Sequence, residues 1–189
     1  MANVSRINGF RPVAYLSGAP YNGKVTKYQI DATDATALGV GDMVKFDGTA
    51  DTLGIPGITR ATLSAPCLGA IVGFVIDPTD LNTPQYRAAL TLRYALVADD
   101  PAIVFECQAN ATCTAALVGN NGEVTIAAAS TITGMSAMQF DMSVTGTTNT
   151  SALKILGIVQ REDNAIGTYN KILVKINNHQ LGSLGTLAV

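Results

Sequence analysis

Hydrophobic and polar positions alternate along much of this chain with a period of two. Val25-Thr26-Lys27-Tyr28-Gln29-Ile30 sets the pattern, and the stretches 58–63, 91–97 and 137–144 repeat it. Successive side chains of a strand point to opposite faces, so this alternation predicts half-buried β-strands. Further strands are expected at 43–46, 103–108, 124–126, 153–160 and 169–176. The segment Leu68 to Ile76 (LGAIVGFVI) does not alternate. Too short to cross a membrane and rich in β-branched residues, it reads as a central strand covered on both faces. Gly69 and Gly73 inside it predict a bulge or a close backbone approach.

Turn signals separate these segments: Asp47-Gly48, Asn120-Asn121-Gly122, and the two-proline loop 77–87. The only helical expectation is one turn over Ala35 to Leu38, capped by Asp34 and stopped by Gly39 and Gly41. The strands 91–97 and 103–108 read as a hairpin joined by the acidic turn Ala98-Asp99-Asp100-Pro101. The pattern as a whole predicts an all-β chain, a jelly-roll-like β-sandwich of roughly 8–10 strands. The sandwich is expected over 25–180, with an extended arm at 1–24 and a tail at 181–189.

The arm is full of turn formers yet carries Ile7, Phe10, Val13, Tyr15, Leu16 and Tyr21. A free disordered tail would be poorer in such residues. The arm is therefore expected to lie on another surface. That surface is its own sandwich or a neighbouring subunit, and the neighbour is preferred.

Composition narrows the function. Hydrophobic residues make up 48% of the 189 residues and charged residues only 14%. A core is affordable, and the charge is well under the usual quarter. Either neighbours cover part of the surface or Thr, Ser and Asn line it. A net charge of −2 with scattered Lys and Arg leaves no footprint for direct nucleic-acid binding. Met1 to Arg11 has no apolar core of a signal peptide, and no membrane span is expected.

No catalytic constellation emerges. Cys67, Cys107 and Cys113 are too few and too dispersed for zinc spacing and read as reduced, buried residues. The single histidine, His179, sits among amides and is expected to face solvent. Asp77 with Asp80, and Asp99-Asp100 with Glu106, can offer oxygen ligands to Ca²⁺, but aspartates in turns usually bond their own backbone. The chain is read as a non-enzyme with no cofactor and no metal.

Several segments carry a resemblance: Ile7-Asn-Gly-Phe-Arg-Pro12, Tyr21-Asn-Gly23, LGVGDMV at 38–44, GAIVGFVIDP at 69–78, Asn82-Thr-Pro-Gln-Tyr-Arg87 and YALVADDPAIVF at 94–105. Together they resemble the head decoration, or cement, proteins of tailed bacteriophages. The resemblance implies a jelly-roll-like fold and binding to major capsid protein on the outer face of a virion shell. It also implies self-association as a homodimer or homotrimer, and no catalytic residues. Contact residues are expected in the arm (Ile7, Phe10, Arg11, Val13, Tyr15, Leu16, Tyr21) and in the long loop (Leu81, Tyr86, Arg87). The alternative is a phage tail or surface module that recognises a host glycan or protein.

Overall fold

The computed structural model describes residues 3–182. Eleven strands and one short 3-10 turn, Ala115–Leu117, make up its regular structure. The strands form two sheets, so the all-β, two-sheet architecture expected from the alternation is present. Most of the expected tail, 183–189, lies outside the described residues.

One sheet has six strands in the order β1-β7-β11-β10-β8-β9. They are β1 (Arg11–Tyr15), β7 (Ile103–Gln108), β8 (Asn121–Thr125), β9 (Gln139–Gly146), β10 (Leu153–Ile158) and β11 (Lys171–Ile176). The other sheet closes into a five-stranded barrel, β2-β4-β3-β5-β6. Its strands are β2 (Thr26–Ile30), β3 (Met43–Ala50), β4 (Pro56–Arg60), β5 (Gly69–Phe74) and β6 (Arg93–Ala98). Closure rests on a parallel contact between β2 and β4 at Gln29 and Gly57. The barrel is thus inserted between β1 and β7, which pair with each other in space, Arg11 opposite Glu106.

Two expectations are corrected here. The strands flanking the acidic turn do not form a hairpin. β6 pairs with β2 and β5 in the barrel, whereas β7 pairs with β1 and β11. The turn is a crossover between sheets, because each strand already has a partner on both of its edges. The expected helical turn at Ala35–Leu38 is also absent. The Asp34 carboxylate instead accepts the Thr36 amide at 2.7 Å, a local turn that competes with helix. The same device recurs at Asp31, Asp47, Asp77 and Asp141, each accepting from the residue two positions on.

Two cores fill the molecule. Tyr28, Ile30, Val44, Ile58, Leu68, Ile71 and Val97 pack inside the barrel. Phe10, Phe105, Phe140, Leu153 and Ile172 pack over the six-stranded sheet, joined by Met43, Ala70 and Ala98 from the outside of the barrel. Neighbours such as Met43 and Val44, or Ala70 and Ile71, therefore serve different cores. This is why 68–71 reads as an unbroken hydrophobic run. A register shift between Ile71 and Gly73 supplies the bulge expected there.

The arm also differs from expectation. Part of it, β1, is the chain's own edge strand, and Phe10 is only 1% exposed. The far side of β1 is then capped by the segment that follows it. Tyr21 donates its amide to Val13, and Tyr15 donates to Ala19 beside Pro20. The other edge strand, β9, is covered in the same manner. Asn110 donates its amide to the Phe140 carbonyl, and its side-chain oxygen accepts from Met142 at 2.9 Å.

Candidate partner-binding surface

The expected contact residues do not gather into one patch. The arm packs near the crossover at the C-terminal end of β6, where Leu16 donates to Ala102. The long loop leaves from the N-terminal end of the same strand. The two are therefore at opposite ends of β6.

Two of the ten residues are inside the molecule, which corrects their assignment as partner contacts. Phe10 fills the core over the six-stranded sheet, because Gly9, at φ +66°, lets the chain approach Gly41 and turn the ring inward. Arg87 is fully buried. Its guanidinium donates to the carbonyls of Asp31 (2.5 Å), Thr36 (2.6 Å) and Thr91 (2.7 Å). Burial pushes its pKa down, and Asp34 and Asp31 oppose that. Val13, Tyr15, Tyr21 and Tyr86 are half-buried within the chain. Tyr15 and Tyr21 pack ring against ring at 6.0 Å, and their hydroxyls bond Asn22 and the Lys24 carbonyl. Ile7, Arg11, Leu16 and Leu81 face outward, with Leu81 80% exposed.

The loop 77–92 gathers a groove that the periodicity did not reveal. Val75, Ile76, Pro78 and Leu92 line it together with Lys27, Asp77, Thr83 and Tyr94, enclosing about 440 Å³. Ile76 is 70% exposed, and Leu81 and Leu90 on the same loop are exposed too. The only hint in the sequence was that Val75 and Ile76 continue a core strand right up to Asp77-Pro78.

The loop is exposed but its returning half, 84–91, is fastened. Arg93 donates to the carbonyls of Pro84 (2.5 Å) and Tyr86 (2.6 Å), and its guanidinium lies 4.8 Å from the Phe74 ring centre. Arg87 holds the start of the returning segment to the 31–36 turns. Two guanidinium groups thus fix the loop through backbone carbonyls, whatever its outward side chains are. On the groove wall, Tyr94 donates its hydroxyl to Asp51 at 2.8 Å, and Lys27 sits over its ring.

The three thiols and the histidine lie elsewhere and are enclosed. All three thiols are free and buried. Burial, reinforced by Glu123, pushes the Cys67 thiol up to about 12. His179 does not face solvent as its polar neighbours suggested; it is 6% exposed. The segment 178–180 is pinned to Cys67 by backbone bonds in both directions, which draws the ring under the crossover. Its Nδ1 accepts the Leu181 amide at 2.9 Å, while Nε2 is buried without a well-formed hydrogen bond. Burial lowers its pKa to about 4, against the opposing pull of Asp99 and Asp100. Asp42 is buried as well, with Oδ2 accepting the Gly39 amide and Oδ1 facing Ser136. No group of three or more His, Cys, Asp or Glu among the described residues is placed to hold a metal ion.

No protein-family model, curated protein or solved structure matches this chain.

Proposed function

We propose that this chain is a capsid decoration protein. In this reading it binds the outer surface of a bacteriophage head, as a dimer or trimer of itself, and bridges major capsid protein subunits. The observation that carries the reading is the exposed apolar groove of Val75, Ile76 and Leu92, beside a loop whose returning half, 84–91, is fastened by Arg87 and Arg93. Covering apolar surface contributes about 25 cal/mol per Å². A loop that is already ordered loses little further entropy when it binds. The low charged fraction and the likeness of the sequence segments to head decoration proteins support the same reading.

The groove is smaller than the roughly 1,000 Å² that a specific interface buries. Leu81 and Leu90 add further exposed apolar side chains on the same loop, and repetition over a symmetric shell multiplies each modest contact. A shell under pressure from packaged DNA needs only such bridges; it does not need chemistry.

The test is co-sedimentation of the purified chain with expanded, empty phage heads, followed by imaging of the particle surface. The reading expects regular decoration by the wild-type chain and its loss in an Ile76→Asp, Leu92→Asp double variant. Both residues are exposed, so the fold should survive, and circular dichroism checks that. A wild-type chain that decorates no shell overturns the function; a double variant that decorates as well as wild type overturns the surface.

A further inference from the structure

A second concavity lies on the six-stranded sheet, away from the barrel loop. Asn3, Arg6, Arg161, Asp163, Tyr169 and Lys171 line it, with Val4 and Asn164, and its volume is about 160 Å³. The N-terminal segment forms one wall. Asn3 is clipped to the 165–168 turn by three hydrogen bonds, and the Arg6 amide donates to the Gln108 side chain at 2.7 Å. The site is therefore assembled from both ends of the chain.

Its charges do not cancel. Arg161 reaches Glu106 at 3.3 Å and Asp163 at 3.1 Å. Lys171 donates to the Arg6 carbonyl and carries two further N–H groups. The Arg6 guanidinium has no hydrogen-bond or ion-pair partner among the described residues. Three cations, Arg6, Arg161 and Lys171, line the pocket with one carboxylate, Asp163; Glu106 lies just behind with Arg11 opposite it, so positive charge is in excess. Burial pushes Lys171 below its ordinary pKa; Glu106 pulls against this, and Arg161 and Arg11 add to it. An anion brought between these cations would relieve the crowding.

The rim is also strained. Tyr169 holds φ +62°, a left-handed conformation that is strained for a bulky residue. The buried neighbour Asn170, bonded in both directions to Cys113, locks that backbone in place. Tyr169 stays 44% exposed at the rim of the cavity.

We infer that this pocket binds a single carboxylate group, held by Arg6, Arg161 and Lys171 beside Tyr169. The small volume of the pocket and the Asp163 carboxylate in its wall suit a carboxylate better than a dianion. A small carboxylic acid and an acidic side chain of a partner protein share that chemistry. The second source rests on the shell-binding reading, whereas the pocket itself does not.

The experiment is an amide chemical-shift titration of the full-length chain with three probes: acetate, an acetylated and amidated Gly-Glu-Gly peptide, and inorganic phosphate. Saturable shifts confined to residues 3–6, 161–164 and 169–171 are expected with a carboxylate probe. They should weaken about tenfold in Arg161→Gln, as for a lost charge-assisted bond. Arg6→Gln, at an exposed side chain that threatens no core, should weaken them as well. Saturation by the peptide assigns the pocket to a protein carboxylate; saturation by acetate alone assigns it to a small acid. No local shift with either, or shifts with phosphate alone, overturns the inference. Because no phage head is present, this outcome is independent of shell binding.

Discussion

A β-carbon on Gly69 would stand inside the contact distance of the Ala98 carbonyl oxygen. Strands β5 and β6 approach as they do because residue 69 has no side chain. Gly69→Ala should therefore destabilise the chain by about 2 kcal/mol or more, since backbone has to move. Gly73, four residues along in the bulge, has open space where its β-carbon would go. Gly73→Ala should be near neutral. Urea denaturation of the two variants checks the contrast, and equal stabilities would refute it.

The arm is part of the fold, and Phe10 is its main anchor. Phe10→Ala should cost about 3–5 kcal/mol, as deletion of a core aromatic ring does. Leu16→Ser, at a residue half exposed on the same arm, should stay within about 0.5 kcal/mol of wild type. Thermal and urea unfolding of both variants test this. A stable Phe10→Ala protein would mean that the arm rests loosely on the sheet.

Arg87 is a fastener. Replacing it with Met removes the donor from the Thr36 and Thr91 carbonyls, leaves the Asp31 carbonyl with only the Asp34 amide, and should cost about 3 kcal/mol. Arg87→Lys should not restore stability, because one ammonium cannot reach three carbonyls spread over Asp31, Thr36 and Thr91. Hydrogen exchange should show the amides of 34–38 and 87–91 opening first. Unchanged protection in those segments would remove Arg87 from this role.

His179 makes the fold acid-sensitive. Its folded pKa of about 4 lies below the ordinary 6.5, so the unfolded chain takes up the proton first as pH falls. Its stabilising contribution is complete above pH 6.5, falls between 6.5 and about 4, and levels off below that. The loss amounts to about 3 kcal/mol. His179→Gln should flatten the slope over this window, whatever its stability at pH 7. Urea midpoints of wild type and variant across that range decide it; parallel slopes would rule out His179 as the titrating group.

The strands were legible because alternation is a local signal and most strands here keep it. Residues 68–71 were readable for the opposite reason, since two cores claim both faces of β5. What the sequence could not reveal is which strands pair. β6 and β7 are separated by a short turn that looks like a hairpin loop, and nothing local distinguishes a hairpin from a step between sheets. Arg87 and Phe10 were misplaced for a related cause. A cation surrounded by backbone carbonyls leaves no mark in sequence, because its acceptors are peptide groups of any residue type. An aromatic residue among glycines and prolines looks exposed until its sheet is known. The groove at Val75 and Ile76 stayed hidden inside a hydrophobic run, and the Arg6–Lys171 pocket joins residues from opposite ends of the chain.

The capping of β1 by the 19–21 segment, and of β9 by Asn110, has a further consequence. Many copies can be crowded together with little tendency to zip into fibres, because much of the backbone available for such growth is already spoken for. Any association at these places must then be written in side chains. It can be strengthened, weakened or redirected one residue at a time, while the scaffold beneath stays as it is.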